Sequence, residues 1–163
     1  YPNLSVKFIY NELYASTNNI YSLWLAKSEV LNEKEIILLD SDILFDPQML
    51  KALQESSHAN CLALDSHKLG DEISKTCSIQ KAIGESIGIE KISNSYLTAL
   101  YKELDQMIVN EQLDNVFYEL AFERLIKQGH YFYPVDTSDF FSMELDTVED
   151  FHDAINRIPK HLQ

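Results

Sequence analysis

The chain has 163 residues, 45% apolar and 24% charged, with only four glycines and four prolines. That is enough for a domain with a real core and argues against a linker, a low-complexity tract or an internal repeat. The formal charge of −13 argues against a nucleic-acid partner, which would need a basic stripe that the sequence lacks. An anionic small substrate fits such a charge only where a metal or local Lys and Arg offset it. Cys61 and Cys77 fit no zinc spacing. Two thiols in a domain this size point to a reducing cytoplasm more than to a disulfide framework. No stretch is long and apolar enough to span a bilayer and none reads as a signal peptide, so a cytoplasmic setting without a membrane partner is expected.

In chain order, residues 6–10 (Val6-Lys7-Phe8-Ile9-Tyr10) read as a strand and 11–17 as a polar loop. Ser16, Thr17 and Asn18 are competent N-caps for a helix over 19–31. Residues 35–42 read as a buried strand. Ile36-Ile37-Leu38-Leu39 is a continuous apolar run of the kind found inside a parallel sheet, and it ends in Asp40-Ser41-Asp42. Pro47 suits the first turn of a short helix reaching about 55. A second apolar run, Cys61-Leu62-Ala63-Leu64, also ends in a carboxylate, Asp65, and the two strands are expected to be neighbours with an acidic rim.

Residues 67–72 read as a turn, 74–82 as an exposed strand, and 86–92 as a strand in which Gly88 packs closely or bends. Ser93 caps a helix to about 110, with Leu97, Leu100, Tyr101, Leu104 and Ile108 facing inward. The next helix covers 115–128, with Phe117, Ala121 and Leu125 on one face and Gly129 as its C′ residue. Residues 131–135 read as a strand that Pro134 places at an edge. Residues 142–146 read as a short strand. Thr147 caps a last helix from 148 to about 157, with Asp150 completing a capping box. This order predicts an α/β fold: a three-layer, Rossmann-like mixed and mostly parallel sheet flanked by helices.

Ligands of open α/β sheets bind beyond the carboxyl ends of the strands. Asp40-Ser41-Asp42 and Glu144-Leu145-Asp146 are acidic pairs at two strand ends far apart in sequence. One Asp from each would make the kind of site Mg2+ takes, in which one or two carboxylates are completed by substrate phosphates. Each pair also has a plain structural reading, as a polar strand end before a turn and as the way into a capped helix. Glu123 can pair with Lys127 one helical turn on, whereas Glu119 has no cation four residues on and stays a site candidate. The five histidines are scattered and read as surface or turn residues.

Several segments taken together resemble the nucleotidyltransferases of the sugar-1-phosphate and choline-phosphate cytidylyltransferase type. Tyr10-Asn11 followed by Ser16-Thr17-Asn18-Asn19-Ile20-Tyr21-Ser22-Leu23 looks like that family's Asn…Thr-Asn-Asn…Ser-Leu loop and helix start. The apolar run through Asp42 looks like the strand carrying its Gly-Asp metal motif, with Ser41 at the Gly position. Ala82-Ile83-Gly84-Glu85-Ser86-Ile87-Gly88-Ile89 is similar to a region of its acceptor pocket, and Tyr118-Glu119 to its Tyr-Glu-Asp helix start. Met143-Glu144-Leu145-Asp146-Thr147-Val148-Glu149-Asp150-Phe151 is close to Glu-Ile-Asp-Thr-x-Glu-Asp-Leu and is the most specific match. The family's opening Gly-rich loop, Arg and Lys, which hold triphosphate and base, have no counterpart here. The resemblance therefore implies one nucleotidyltransferase-like domain over 1–163, matching the C-terminal two-thirds of the family domain.

What the resemblance implies for function is a Mg2+-dependent nucleotidyltransferase. An oxygen of a small phosphate or phosphonate acceptor would attack the α-phosphorus of an NTP, CTP being favoured, and release pyrophosphate. Asp42 and Asp146 are implied as metal ligands and catalytic groups. Asn18, Asn19 and Ser22 are implied as polar contacts near the nucleotide or acceptor, with Glu119 and Glu144 in support. The implied partners are the NTP and the phosphorylated acceptor, and a homodimer is compatible. Without the cationic half of the site, the 163 residues alone are expected to turn over poorly. Two other readings stay open here. Asp40-Ser41-Asp42 fits the Asp-x-Asp motif of glycosyltransferases that use a nucleotide-sugar, and a folded but non-catalytic fragment or paralogue fits the missing Gly-rich loop.

Overall fold

A computed structural model describes residues 4–66 and 83–162. The turn and strand expected over 67–82 lie outside the described residues, as do His67 and Cys77. The element order is α1 (Asn19–Leu25), α2 (Lys27–Val30), β1 (Glu35–Leu39), β2 (Ile43–Phe45), α3 (Gln48–Glu55), β3 (Cys61–Asp65), β4 (Glu85–Ser93), α4 (Asn94–Asp105), a π-helical turn (Gln106–Asn110), α5 (Glu119–Lys127), β5 (Tyr133–Asp136), β6 (Ser142–Glu144), α6 (Val148–Arg157) and a 3₁₀ turn (Lys160–Leu162). The described residues fall into two compact units. One lies within Tyr1–Ile36 and Ser93–Tyr131, the other within Ile37–Ile92 and Phe132–Gln163. No helix among the described residues is long and apolar enough to cross a membrane.

The first unit is helical. Asn18 caps α1 by accepting from the Asn19 N–H, and the helix expected over 19–31 breaks at Ala26 into α1 and α2. Ser93 caps α4, its hydroxyl accepting from the Tyr96 N–H. The inward stripe of α4, Leu97, Leu100, Tyr101 and Leu104, is buried as its spacing predicts. The Tyr101 hydroxyl donates to the Leu23 carbonyl at 2.9 Å, and burial pushes that phenol up to about 12. Tyr96 and Tyr118 both set their rings edge-on to Phe122 of α5. Residues 6–10 form no strand. Val6, Phe8 and Tyr10 are exposed and no ladder partner meets them among the described residues, so β-propensity has nothing to pair with.

The second unit carries a four-stranded sheet in the order β1-β4-β3-β5 and a two-stranded ribbon of β2 with β6. β3 is antiparallel to β4 and parallel to β5, so the sheet is mixed and flanked by helices, as an α/β fold requires. β5, with Pro134, is an edge strand as expected. β1 and β3 are not neighbours, because β4 lies between them. The core gathers Met49 and Leu53 of α3 with Cys61, Ala63, Ile87 and Ile89 of the sheet. The buried Lys91 ammonium donates to the Ser56 carbonyl at 2.9 Å, capping the end of α3.

Candidate functional site

After Leu39 the chain leaves the sheet, turns through Ser41 and Asp42, and enters β2. The run expected as one strand over 35–42 is thus a half-buried strand, a turn and the start of a second ladder. β2 pairs antiparallel with β6 in the register Ile43↔Glu144, Leu44↔Met143, Phe45↔Ser142. One step further, the Leu145 N–H donates to the Asp42 carbonyl at 2.8 Å. Asp42 and Asp146 therefore stand at the same end of one ribbon, and both are exposed. Glu144 is exposed and lies within the ladder, opposite Ile43.

The backbone beside Asp146 is fixed by the helix that follows. The Thr147 hydroxyl accepts from the Asp150 N–H at 3.1 Å, and the Asp150 carboxylate accepts from the Thr147 N–H at 2.9 Å. Hydrogen bonds from the Thr147 side chain and backbone, with help from the charge of Arg157, hold the Asp150 carboxyl below its ordinary range. Asp40 is placed differently from Asp42. Its N–H donates to the Gly88 carbonyl at 2.9 Å, and a Cβ at Gly88 would run into its carboxylate. Only Asp42 of that pair is exposed.

An open depression of about 300 Å³ in the same unit brings Glu144 together with Glu85, Asp150 and Arg157 over the apolar side chains of Ile43, Ile87 and Met143. Three carboxylates against one guanidinium make it a better seat for a cation than for an anion. Among the described residues no three His, Cys, Asp or Glu side chains converge as a preformed metal cage. Asp42 and Asp146, exposed at one end of the ribbon, are of the donor type that Mg2+ takes where water and substrate phosphates complete its shell.

The remaining sequence-predicted residues belong to the helical unit. Asn18 and Asn19 each have a structural task. The Asn18 side chain caps α1, and Asn19 Oδ1 accepts from the Tyr118 N–H at 2.8 Å, tying the start of α1 to the start of α5. Ser22 is exposed and its Oγ accepts from the Asn11 amide at 3.1 Å. Asn11 organises the preceding loop through Thr17 and the Leu13 N–H. Glu119 is exposed at the first position of α5. That helix starts four residues later than the sequence pattern predicts, and Phe117 is exposed rather than inward. The bond from Tyr118 to Asn19, 99 positions away, holds the segment before the helix out of the helical ladder.

Sequence reasoning missed Asp46. It is buried, its carboxylate accepts from the Gln48 N–H at 2.9 Å, and His161 Nε2 lies 3.3 Å from the same group. The Gln48 N–H, aided by His161, holds this carboxyl below its ordinary range against the opposing effect of burial. Asp46-Pro47 ahead of an apolar-periodic segment was the available signal, since Asp commonly caps a helix start.

No family model and no curated protein sequence matches the chain. Solved structures do. A CTP:phosphocholine cytidylyltransferase from Streptococcus pneumoniae (LicC) matches over 94% of this chain and 69% of its own, with a TM-score of 0.68 and 18% identity. The inositol-1-phosphate CTP transferase from T. maritima matches over 94% of this chain and 66% of its own, with a TM-score of 0.64 and 15% identity. At such identities the likeness is one of fold: the expected α/β fold with a mixed sheet and flanking helices is found, while of the pairings described β3 with β5 is parallel and β3 with β4 and β2 with β6 are antiparallel, so the sheet is not the mostly parallel one expected.

Proposed function

We propose that this chain is the metal- and acceptor-binding part of a Mg2+-dependent, CTP-using nucleotidyltransferase. The observation that supports the reading is the Leu145–Asp42 backbone bond, which brings the chain at Asp42 and at Asp146, far apart in sequence, to the same end of one ribbon. Asp42 and Asp146 would hold Mg2+ against the phosphates of CTP. When bound there, the ion offsets charge on the α-phosphate and on the departing pyrophosphate. The protein itself supplies positioning. The β2–β6 ladder and the Thr147–Asp150 cap fix the backbone that carries the two carboxylates, which limits the reorganisation left for the reaction.

The acceptor in this reading is a small amino-alcohol phosphate or phosphonate. Its cationic end suits the depression that holds Glu144, Glu85 and Asp150, and its phosphate oxygen attacks the α-phosphorus. That LicC is a phosphocholine cytidylyltransferase supports this choice. In the helical unit, Asn18, Asn19 and Ser22 remain proposed polar contacts, with Glu119 in support. Among the described residues the Nδ2 groups of Asn18 and Asn19 carry no hydrogen bond, so both still have a donor to offer.

Calorimetric titration of CTP tests the reading directly. Binding is expected to require Mg2+ and to weaken by about tenfold or more in Asp42→Ala and in Asp146→Ala. Glu123→Ala, which removes only an exposed pair with Lys127, should leave it unchanged. CTP binding that ignores Mg2+, or that survives both substitutions, would overturn the metal assignment. Release of a nucleoside diphosphate from a sugar nucleotide in place of pyrophosphate from CTP would favour the glycosyltransferase reading.

A further inference from the structure

α4 does not stop cleanly at Asp105. It runs on into the π-helical turn Gln106–Asn110, which the Glu111 N–H closes onto the Gln106 carbonyl at 3.1 Å. The chain then passes through Gln112, whose backbone is left-handed (φ 59°), and the Leu113 N–H returns to the Met107 carbonyl at 2.9 Å. A non-glycine residue keeps such a conformation only where its surroundings over-determine it. The surroundings here include a charged clamp. Arg124 of α5 donates through Nη1 to Glu111 Oε1 at 3.1 Å and through Nη2 to Glu111 Oε2 at 2.8 Å. Its Nη1 also reaches Glu103 Oε1 of α4 at 3.2 Å. Gln106 adds a bond to Glu111 at 3.2 Å, and Gln128 one to Glu103 at 2.9 Å. An isolated surface ion pair holds little, but a two-pronged guanidinium–carboxylate contact inside a network fixes geometry.

What this clamp holds is a loop that reaches the two proposed polar contacts. Between Glu111 and α5, the Asp114 carbonyl accepts from the Asn18 N–H at 3.0 Å, and the Tyr118 N–H donates to Asn19 Oδ1 at 2.8 Å. Asn18 Oδ1 in turn accepts from the Asn19 N–H at 2.7 Å. Each side-chain carbonyl is thus taken by a backbone N–H. That fixes which end of each amide is left for a ligand, namely the Nδ2 donor. Two N–H donors suit ligand oxygens, whether those of a phosphate or of a pyrimidine ring. Every residue of this relay lies within the helical unit.

We propose that Arg124 is a positioning residue for ligand binding, acting through Glu111 and the 111–118 loop to hold Asn18 and Asn19 with both amide donors presented. The proposal rests on the reading of these two asparagines as polar contacts. It gives Arg124 itself no contact with ligand or reacting atoms. The hydrogen bonds from Arg124, with help from Gln106, hold the Glu111 carboxyl below its ordinary range, so the clamp is charged at neutral pH.

Calorimetry in Mg2+ with two probes, CTP and phosphocholine, tests it on the full chain, read beside amide hydrogen exchange. Asn18→Asp and Asn19→Asp keep the oxygens that the Asn19 and Tyr118 N–H groups need, and remove the donors. Together they are expected to weaken the probe they contact by about tenfold without lowering the thermal midpoint. The probe that responds shows whether the ligand oxygens belong to nucleotide or acceptor. Arg124→Gln should weaken the same probe by about fivefold and speed exchange of the Asn18 and Tyr118 amides, while the Leu100 amide of α4 stays protected. Glu111→Ala, at an exposed residue, should do the same from the other side of the clamp. In the background carrying both Asp substitutions, Arg124→Gln should cost nothing further, a result that a role in stability alone does not produce. If the Asp variants weaken binding and neither Arg124→Gln nor Glu111→Ala does, the positioning proposal falls and the asparagine reading stands. An Arg124→Gln loss that persists in full in the Asp background also overturns the proposal, because Arg124 then acts by another route. If the Asp variants change neither probe, or neither probe binds, the asparagine reading falls and the proposal with it.

Discussion

Gly88 has φ +73°, and a Cβ there would collide with the carboxylate of Asp40. Both the backbone conformation and the space demand glycine. Gly88→Ala should therefore cost about 2 kcal/mol or more, read as a lower denaturation midpoint in urea. A change under about 0.5 kcal/mol would contradict the packing described. Asp46 makes a second prediction at this scale. Its carboxyl sits below the ordinary range, chiefly through the Gln48 N–H. Its contribution is then fully present above the ordinary carboxylate pKa near ~4 and is lost as pH falls through the lowered value. Asp46→Asn should flatten the acid limb of a stability–pH curve, and a curve identical to the wild type would refute this. The sequence showed Gly88, because an isolated Gly between isoleucines in a strand marks close approach. It hid Asp46, whose burial depends on chain segments that return 95 positions later, at Phe141, and 115 later, at His161.

At the scale of elements, local signals were readable wherever the partner is nearby in sequence. The capping box of α6 is present as Thr147 and Asp150 predict, and Gly129 follows α5 with φ +92°. Thr147→Ala should cost about 1 kcal/mol, measured by thermal unfolding. It should also loosen the backbone beside Asp146, so Mg2+-dependent CTP binding is expected to weaken with it. A variant as stable as wild type would show that the cap contributes nothing. Elements whose limits depend on distant partners were misjudged. The apolar run from Ile36 looks continuous, yet its far end pairs with β6, a hundred residues away, and so leaves the sheet. Residues 6–10 alternate like a strand, but no pairing follows among the described residues. The start of α5 is set by Asn19, which no window of local sequence contains.

For the molecule as a whole, the α/β class and the mixed sheet were legible in the order of elements. What pattern could not supply was strand order. β4, the strand latest in sequence among β1, β3 and β4, lies between the other two, so two runs that each end in Asp do not form one continuous rim. The site reading instead rests on the smaller β2–β6 ribbon. A net charge of −13 makes that reading demanding, since polyphosphate will not approach such a surface without a divalent ion. The two carboxylates should then act as one unit. A double-mutant cycle on CTP affinity in Mg2+ asks this most directly, because groups that hold a single ion are not additive. If Asp42 and Asp146 share the ion, the double Ala variant will bind CTP about as weakly as either single variant. Losses that simply add would mean the two act separately, and would contradict the account.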